Sequence, residues 1–358
     1  MSKKSEIRAS LPDAKTLLSL YRGMLRIRLV DERMMLHQRQ GRIGFYGSCT
    51  GQEATPVAVA EALEKQDWIF PGLREGAAML HRGFPLVPYL AQVFGNAIDP
   101  TKGRQMPSHQ ADRSVNQVSW SSVIGTQLSQ AVGAAMAAQH KGDKTVIVGF
   151  CGDGATSSAE FHMAMNFAGV YKPPVVLVCQ NNQWAISVPA DKQTASETIA
   201  IKARAYGFPG IRIDGNDAVA VYRTAKEAVD RARRGGGPTF IESLTYRIGA
   251  HSSSDDPSRY RDPKEVEKWV KRDPIEHMRT LLRDEGLLSA AADEKMKAGL
   301  QEEIARAVSE AEAAGPPALE TMFQDIYEHD DSPALVAQRE EYARTVIPFG
   351  HVKGPTNH

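Results

Sequence analysis

The chain has 358 residues, enough for one large α/β domain or for one domain with a helical appendage. Lysine plus arginine and aspartate plus glutamate both number 43, so the formal net charge is zero. This balance argues against a nucleic-acid-binding or membrane-surface protein, because such proteins usually carry a basic excess. No apolar run approaches the ~20 residues that a membrane-spanning helix needs, so we expect neither a nucleic acid nor a membrane as a partner.

The cysteine pattern argues against cysteine chemistry. Cys49, Cys151 and Cys179 lack C-x-x-C spacing, and the last two lie in strand-like runs. We therefore expect small buried hydrophobic residues in a reducing compartment, with neither a disulfide nor a thiolate nucleophile.

The first part of the chain is mainly helical in its pattern. Apolar residues recur at helical spacing over 12–40, and after a glycine-rich loop the helical pattern returns over 51–64. Residues 68–70 predict a short strand. Residues 97–120 are polar and predict a long surface loop, and a helix follows over 126–140.

The middle of the chain alternates strands and helices. Apolar runs at 146–151 and 175–179 predict two strands, and the capping-box pattern Ser157-Ser158-Ala159-Glu160 predicts a helix between them. Residues 210–214 and 239–246 predict two more strands. This alternation is typical of an α/β fold with a doubly wound, mostly parallel sheet.

The remaining predictions concern the ends of the chain and one helix cap. Asn216 is expected to cap the helix before the last strand, and residues 263–345 have an almost wholly helical, highly charged pattern. We predict a disordered arm over 1–11 and one domain over 12–345. That domain has N-terminal helices and a helical C-terminal part over 263–345, and a tail follows over 346–358.

Polar turns follow two of the predicted strands. Gly152-Asp153-Gly154 follows the first, and Asn181-Asn182 follows the next. Ligands of doubly wound sheets bind outside the carboxyl ends of the strands, where these turns would meet. The side-chain oxygens of Asp153 and Asn182 suit a hard cation, and a helix N-terminus beside them suits a phosphate.

Two more polar residues follow the last predicted strand at the same rim. Arg247 can bind a phosphate through two hydrogen bonds, and His251 can titrate or donate a hydrogen bond near neutral pH. Because Gly154 has no side chain, its amide can approach a ligand closely.

Other interpretations of these motifs remain open. An aspartate after a strand is often only a helix cap, and a dinucleotide-binding loop would need glycine where Ser157 stands. A Mg²⁺-dependent phosphotransferase or hydrolase would need a P-loop lysine or a second carboxylate in the turn, which has neither. A non-catalytic, cofactor-binding subunit is a further alternative, and the intact residues Asp153, Asn182, Arg247 and His251 argue against it.

A longer series of motifs carries a family resemblance along nearly the whole chain. It comprises Gln38–Tyr46, Gly103–Pro107, Thr126-Gln127, Asn181–Ser187, Ile213–Asp217 and Thr245–Ser252. Together with the Gly-Asp-Gly and Asn-Asn signature of thiamin-diphosphate enzymes, these motifs resemble the alpha subunit of the decarboxylating dehydrogenase component of 2-oxo acid dehydrogenase complexes. The resemblance implies the thiamin-diphosphate-binding fold.

The resemblance also implies a cofactor site for thiamin diphosphate held through Mg²⁺. Metal contacts would come from the side chains of Asp153 and Asn182 and from the carbonyl oxygen of Trp184. The implied cofactor-binding positions are Phe45, Arg74, Ser122, Ile124, Asp153, Gly154, Ala155, Asn182, Arg247 and His251. Among them, Arg74 and Arg247 would bind the diphosphate, and Ile124 would bend the cofactor. His251 would be the catalytic residue, linked to handing the acyl group to lipoamide.

Three positions depart from the family pattern. Leu73 stands where many members carry tyrosine, and Gln180 stands where some carry a basic residue. Val123 replaces a proline near a structural K⁺ site of some members. Substrate fit and the K⁺ site are therefore left open.

The implied activity is that of an oxidoreductase acting on an oxo group with a disulfide acceptor. It decarboxylates a 2-oxo acid oxidatively and transfers the acyl group to the lipoyl group of a dihydrolipoyl acyltransferase. The glutamate that activates the cofactor would lie on a separate beta subunit, so the active form would be an α₂β₂ heterotetramer. The resemblance, with the polar start of the chain, predicts a bacterial cytoplasmic protein.

The substrate prediction favours branched-chain 2-oxo acids of the 3-methyl-2-oxobutanoate type. Gly103–Pro107 and Arg247–Asp256 favour them, whereas Asn181–Pro189 and Ile199–Ala203 also fit bacterial pyruvate dehydrogenases. Ser252 matches a loop that kinases modify in mitochondrial members, and we expect this loop to be unregulated here.

Overall fold

The computed structural model of the chain describes residues 11–329 and 331–345. The elements up to the first long strand are α1 (Ala14–Arg39), α2 (Ala54–Glu61), β1 (Trp68–Phe70), α3 (Gly76–His81), α4 (Leu86–Phe94), α5 (Thr126–Lys141) and β2 (Ile147–Gly152). The next are α6 (Ala159–Tyr171), β3 (Val175–Asn181), β4 (Trp184–Ala185), β5 (Val188–Pro189), α7 (Lys202–Ala205), β6 (Gly210–Asp214), α8 (Ala218–Arg233) and β7 (Thr239–Leu244). Four helices follow: α9 (Pro263–Val270), α10 (Pro274–Asp284), α11 (Ala290–Glu312) and α12 (Pro333–Thr345).

The main sheet has five parallel strands in the order β1-β2-β3-β7-β6. Its central strand β3 is buried along its whole length, as expected for a strand covered on both faces. Strands β2 and β3 are direct neighbours, with Cys151 opposite Cys179 and Gly152 opposite Gln180. The carboxyl ends of these two strands therefore lie side by side.

Helices cover both faces of the sheet. On one face Ile147, Cys151 and Leu177 pack in a core cluster with side chains of α5 and α6. On the other face Val148 and Phe150 pack in a second cluster, with side chains of α1, α2 and α8. The alternation of side chains along β2 produces these two cores, and it confirms the predicted doubly wound α/β fold.

Two predicted helix caps are wrong by one residue. The side chain of Asp217, and not that of Asn216, accepts hydrogen bonds from the first turn of α8. Asn216 instead donates to the carbonyl of Arg272 over 2.6 Å. Ser158 caps α6 by accepting from the amide of Phe161, whereas Ser157 donates to the carbonyl of Gln193. In both pairs two adjacent residues can act as a cap, so the pattern alone could not choose between them.

Two predicted segments differ in part. Residues 97–120 include the buried side chains of Ser108, His109, Gln110 and Gln117, so this segment is not simply a surface loop. The region after α11 is not continuously helical, because the described residues between 313 and 332 hold only the short 3-10 helix Leu319–Phe323. The predicted tail and residues 1–10 of the predicted arm lie outside the described residues, and the domain limits stay a prediction.

No helix in the described part of the chain is both long and apolar enough to cross a membrane.

Candidate active site

Asp153 and Asn182 lie next to each other at the carboxyl ends of the central strands. Asp153 directly follows β2, and Asn182 directly follows β3. Both side chains are buried, with exposed fractions of 2% and 6%. Burial raises the pKa of the Asp153 carboxyl, and a hydrogen bond from Gln193 Nε2 to its Oδ2 (2.9 Å) opposes the rise. Two oxygen donors from neighbouring strands thus meet at one point, as the sequence predicts.

The amide group of Asn182 is oriented by two hydrogen bonds. Its Nδ2 donates to Gln52 Oε1 over 2.9 Å, and its Oδ1 accepts from the backbone amide of Trp184 over 3.2 Å. An amide oxygen has two lone pairs, so one remains for a ligand.

Gly154 is required by packing within the protein. A Cβ atom at this position would lie 2.6 Å from the Cβ of Ala185 in β4. The turn after β2 can therefore lie against β4 only if residue 154 has no side chain. This is a different reason for the glycine from the ligand contact that the sequence suggests.

A cavity of about 670 Å³ opens at this edge of the sheet. Every residue that the sequence analysis places in the site lines it: Phe45, Arg74, Ser122, Ile124, Asp153, Gly154, Ala155, Asn182, Trp184, Arg247 and His251. These residues are spread over more than 200 positions of the chain, and the fold brings all of them together.

Two buried arginines give the cavity a positive charge. Arg74 donates to the carbonyls of Ser48 and His251, the latter over 2.8 Å. Arg247 donates to the carbonyls of Trp184 (3.2 Å) and Ile186 (2.7 Å) and to the hydroxyl of Tyr260 (2.9 Å). These acceptors are all neutral.

The charge of Arg247 also destabilises the charge of Arg74. Burial, followed by the charge of Arg247, lowers the pKa of Arg74 to about 10. Burial likewise lowers the pKa of Arg247. Within the described part of the chain, neither guanidinium forms an ion pair with a carboxylate, so both charges are available to a bound anion.

His251 lies against the same two arginines. Its Nδ1 is 3.5 Å from Arg74 Nη2, and its backbone amide donates to Asp255 Oδ2 over 2.7 Å. Burial lowers its pKa to about 4, and the charges of Arg74 and Arg247 add to the effect. The imidazole is therefore neutral at pH 7 and can accept a proton or a hydrogen bond.

The hairpin of β4 and β5 holds a strained residue beside Arg247. Ile186 has a φ of 54°, in the left-handed region that β-branched residues rarely adopt. Its carbonyl accepts the hydrogen bond from Arg247, and its side chain is 54% exposed at the cavity. Strain of this kind tends to accumulate at functional sites.

Several cavity residues were missed by the sequence analysis. They are Gln52, Met106, His109, Trp120, Gln127, Ile186 and Gln193, together with Glu75. Glu75 is buried, and its carboxylate accepts from Gln180 Nε2 and from the backbone amide of Arg74. Burial raises the pKa of this carboxyl. Met106, Gln127 and Ile186 lie inside the family motifs of the sequence. No local pattern marks the others, because their place in the site depends on packing between distant segments.

The side chains of the site offer only a partial set of metal ligands among the described residues. Among the described residues no group of three or more His, Cys, Asp or Glu side chains could hold a metal ion. Asp153 and Asn182 can supply two oxygen ligands, and a carbonyl such as that of Trp184 can supply a third.

Comparison with known proteins assigns the family. Residues 21–320 match the family described as "Dehydrogenase E1 component". The chain is 44% identical over 346 residues to the 3-methyl-2-oxobutanoate dehydrogenase subunit alpha of Mycobacterium tuberculosis, covering 94% of this chain and 89% of the relative.

Two further relatives are 40% identical. The mitochondrial 2-oxoisovalerate dehydrogenase subunit alpha 2 of Arabidopsis thaliana matches over 331 residues, 92% of this chain and 70% of the relative. The pyruvate dehydrogenase E1 component subunit alpha of Staphylococcus aureus matches over 326 residues, 91% of this chain and 85% of the relative. These matches confirm the resemblance found in the sequence motifs, and the chain belongs to the dehydrogenase E1 component family.

Proposed function

We propose that the chain is the alpha subunit of a branched-chain 2-oxo acid dehydrogenase. It would act in oxidative decarboxylation of 3-methyl-2-oxobutanoate and related acids, and the acyl group would pass to a lipoylated dihydrolipoyl acyltransferase. The observation that carries the proposal is the pairing of Asp153 and Asn182 beside two arginines without carboxylate partners. Relatives named for 2-oxoisovalerate or 3-methyl-2-oxobutanoate support the choice of substrate.

The residues present fit thiamin diphosphate with Mg²⁺. Mg²⁺ prefers oxygen ligands and is usually bound by one or two carboxylates together with substrate phosphates. Asp153, Asn182 and the Trp184 carbonyl offer such a partial set. Arg74 and Arg247 offer two positive charges for a diphosphate, which would neutralise them in the buried site. When bound, the cofactor supplies the carbanion chemistry that removes carbon dioxide from a 2-oxo acid.

The chain's own residues would bind and orient the ligands. Asp153, Asn182 and Trp184 would hold the metal ion, and Arg74 and Arg247 would hold the diphosphate. Gly154 and Ala155 line the same end of the cavity, where the turn after β2 begins a short 3-10 helix.

The other cavity residues would shape the reacting end and exclude water. Phe45 and Ile124 contribute apolar surface, and Ile124 would bend the cofactor. Ser122 offers a hydroxyl there. His251, neutral at pH 7 because of its low pKa, would handle a proton during transfer to the carrier.

The need for a second subunit has a chemical basis in the cavity lining. Among the described lining residues the only carboxylates are those of Asp153 and Glu75. We assign Asp153 to the metal, and Glu75 already accepts hydrogen bonds from Gln180 and the Arg74 amide. Neither carboxylate is free to activate the aminopyrimidine ring of thiamin diphosphate. A beta subunit would therefore supply the activating glutamate in an α₂β₂ heterotetramer.

The decisive experiment compares the chain with and without its partner. Purified chain would be assayed for 2-oxo acid decarboxylation alone, and again after reconstitution with a beta subunit, thiamin diphosphate and Mg²⁺. We expect activity only in the reconstituted assembly. Full activity from the chain alone would contradict the proposed division of the site, and no activity in either would contradict the function.

Pyruvate is the second candidate substrate, favoured by the 40% identity to the Staphylococcus aureus protein. Leu73, which lines the cavity, is smaller than the tyrosine of many family members and could leave room for a larger acyl chain. A pocket difference of one or two methylene groups discriminates only about 10- to 200-fold. We expect kcat/KM for 3-methyl-2-oxobutanoate to exceed that for pyruvate within this range, and the opposite order would assign the chain to pyruvate.

A structural K⁺ near Val123 is left open, and two finer predictions remain to be tested: a bacterial cytoplasmic location and an unregulated loop at Ser252. Mass spectrometry that finds phosphate on Ser252 would contradict the last of them.

A further inference from the structure

A histidine outside the residues assigned above contacts one of them directly. His109 lies in the segment between α4 and α5, is 5% exposed and lines the cavity. Its Nε2 is 2.7 Å from the hydroxyl oxygen of Ser122, and its Nδ1 is 3.1 Å from the carbonyl oxygen of Pro107. The ring also packs against Trp120, with 5.8 Å between the ring centroids.

These two contacts determine which nitrogen carries the hydrogen. The carbonyl of Pro107 can only accept, so Nδ1 of His109 must donate to it. A neutral imidazole carries one hydrogen, and Nε2 is then left with a lone pair. The hydroxyl of Ser122 therefore donates to His109, and its oxygen keeps its own lone pairs for other partners.

The backbone around His109 is held by a single glutamine of α4. Gln92 Oε1 accepts from the amide of His109 over 3.0 Å, and Gln92 Nε2 donates to the carbonyl of Met106 over 2.7 Å. Gln92 is itself 1% exposed. The imidazole is thus fixed before any ligand binds, which is what a positioning group requires.

We propose that His109 is a positioning residue that makes the Ser122 hydroxyl a fixed hydrogen-bond acceptor in the cavity. The proposal rests on the proposed function for the identity of the ligand. The reacting end of a 2-oxo acid carries only acceptor oxygens, whereas the aminopyrimidine of thiamin diphosphate carries an amino group that donates. An acceptor at Ser122 therefore favours the cofactor over a substrate bound in its place.

Three substitutions separate this role from a merely structural one. Ser122→Ala removes the hydroxyl. His109→Asn keeps a polar group near the position of Nδ1 but no longer reaches Ser122, whereas His109→Gln can place an oxygen near the position of Nε2. His140→Asn, at an exposed histidine near the end of α5, serves as a matched control.

The first readout is binding of thiamin diphosphate with Mg²⁺, measured by calorimetry on the full chain assembled with a beta subunit. We expect Ser122→Ala and His109→Asn each to weaken binding about tenfold, the loss of one hydrogen bond. The double variant should bind no more weakly than either single one, because both remove the same contact. His109→Gln should restore most of the affinity. Additive losses in the double variant, or no loss in either single variant, would overturn the proposal.

The second readout needs neither cofactor nor partner. Long-range ¹H–¹⁵N spectra of the full chain with labelled histidine distinguish the two neutral tautomers, and the signal absent in His109→Gln identifies His109. We expect hydrogen on Nδ1 only, and a shifted Nε2 signal in Ser122→Ala. Hydrogen on Nε2, or on both nitrogens, would overturn the proposal. If wild-type assembly binds no thiamin diphosphate, the proposed function fails, while the tautomer measurement still tests the His109–Ser122 contact.

Discussion

At the scale of single residues, Asp153 is the charged metal ligand of the proposed site. Its buried carboxylate lies just after the end of β2, and among the described contacts Gln193 is the only side chain that donates a hydrogen bond to that carboxylate. Its place was predictable, because a strand followed by Gly-Asp-Gly marks the edge of a parallel sheet. The Gln193 contact was not predictable, since it joins segments 40 positions apart.

Replacing Asp153 with alanine should abolish cofactor retention in the assembled protein. We expect metal-dependent binding of thiamin diphosphate to weaken on the order of 100-fold or more, because a charged metal ligand is lost. Calorimetry on the reconstituted assembly measures this, with a thermal melt to verify folding. Asp191→Ala, at an exposed aspartate of the short 3-10 helix Ala190–Lys192, is the control and should bind normally. Unchanged binding in the Asp153 variant would contradict the assignment of Asp153 as a metal ligand.

His251 makes a second residue-scale prediction, on pH dependence. Its pKa in the folded chain is about 4, below the ~6.5 of an unfolded histidine. As the pH falls, this histidine is therefore protonated in the unfolded chain before it is protonated in the folded chain. Its contribution to the free energy of unfolding is complete above pH ~6.5 and is lost as the pH falls toward 4. Denaturant unfolding of wild type and His251→Gln between pH 7 and 4 should show a steeper fall for wild type.

Cofactor binding should shift the titration of the same histidine. Negative phosphate charge beside Arg74 and Arg247 would offset the two charges that, after burial, lower the pKa of His251. We expect NMR titration of the assembled protein to show a higher pKa for His251 with thiamin diphosphate and Mg²⁺ than without them. An unchanged value would place the phosphates elsewhere.

At the scale of elements, the N-termini of α5 and α6 depend on each other. Gly125 caps α5 with a φ of 91°, and a Cβ atom there would lie 2.5 Å from Ser158 Oγ. Ser158 is the residue that caps α6. The first turns of the two helices therefore approach so closely that only glycine fits between them.

A substitution of Gly125 should therefore disturb both helices. Gly125→Ala combines an unfavourable backbone conformation with a steric overlap, and we expect it to lower the free energy of unfolding by about 2 kcal/mol. Gly133→Ala is the control on the same helix, because its added Cβ meets nothing within 4 Å. That change should raise the free energy of unfolding by about 0.5–1 kcal/mol, since alanine favours helices more than glycine. Equal effects in chemical denaturation would contradict this account.

The elements also show where sequence patterns were sufficient. All five strands of the main sheet were predicted. Strands β2 and β3 are buried and appear in the sequence as continuous apolar runs, as parallel strands covered on both faces do. Helices α3 and α4 received no prediction. They are short, and α3 is buried on nearly all sides, so no amphipathic period marks it. The hairpin of β4 and β5 has only two residues in each strand, too few for a period to be detected.

For the molecule as a whole, the total charge gives no information about the site. The chain has 43 basic and 43 acidic residues, yet two buried arginines that form no ion pair with a carboxylate line its cavity, together with the carboxylates of Asp153 and Glu75. The chemistry depends on how the fold brings residues 45 to 251 together. The family motifs predicted site residues only at positions that match the family pattern. His109 and Gln193 lie outside those motifs, and only tertiary contacts place them in the site.

The buried cysteines allow the rate at which the central strands separate to be measured by chemical labelling. Cys179 is fully buried in β3, and Cys151 opposite it in β2 is 2% exposed. A thiol reagent can modify Cys179 only when the central strands separate, so its rate of labelling reports how often they do so. A ligand that binds at the carboxyl ends of β2 and β3 should lower the labelling rate by the factor 1 + [L]/Kd, where [L] is the concentration of free ligand. Labelling of a variant in which Cys179 is the only cysteine would thus yield the affinity for thiamin diphosphate without any turnover. A labelling rate that does not change when the ligand is added would show that the ligand binds away from these strands.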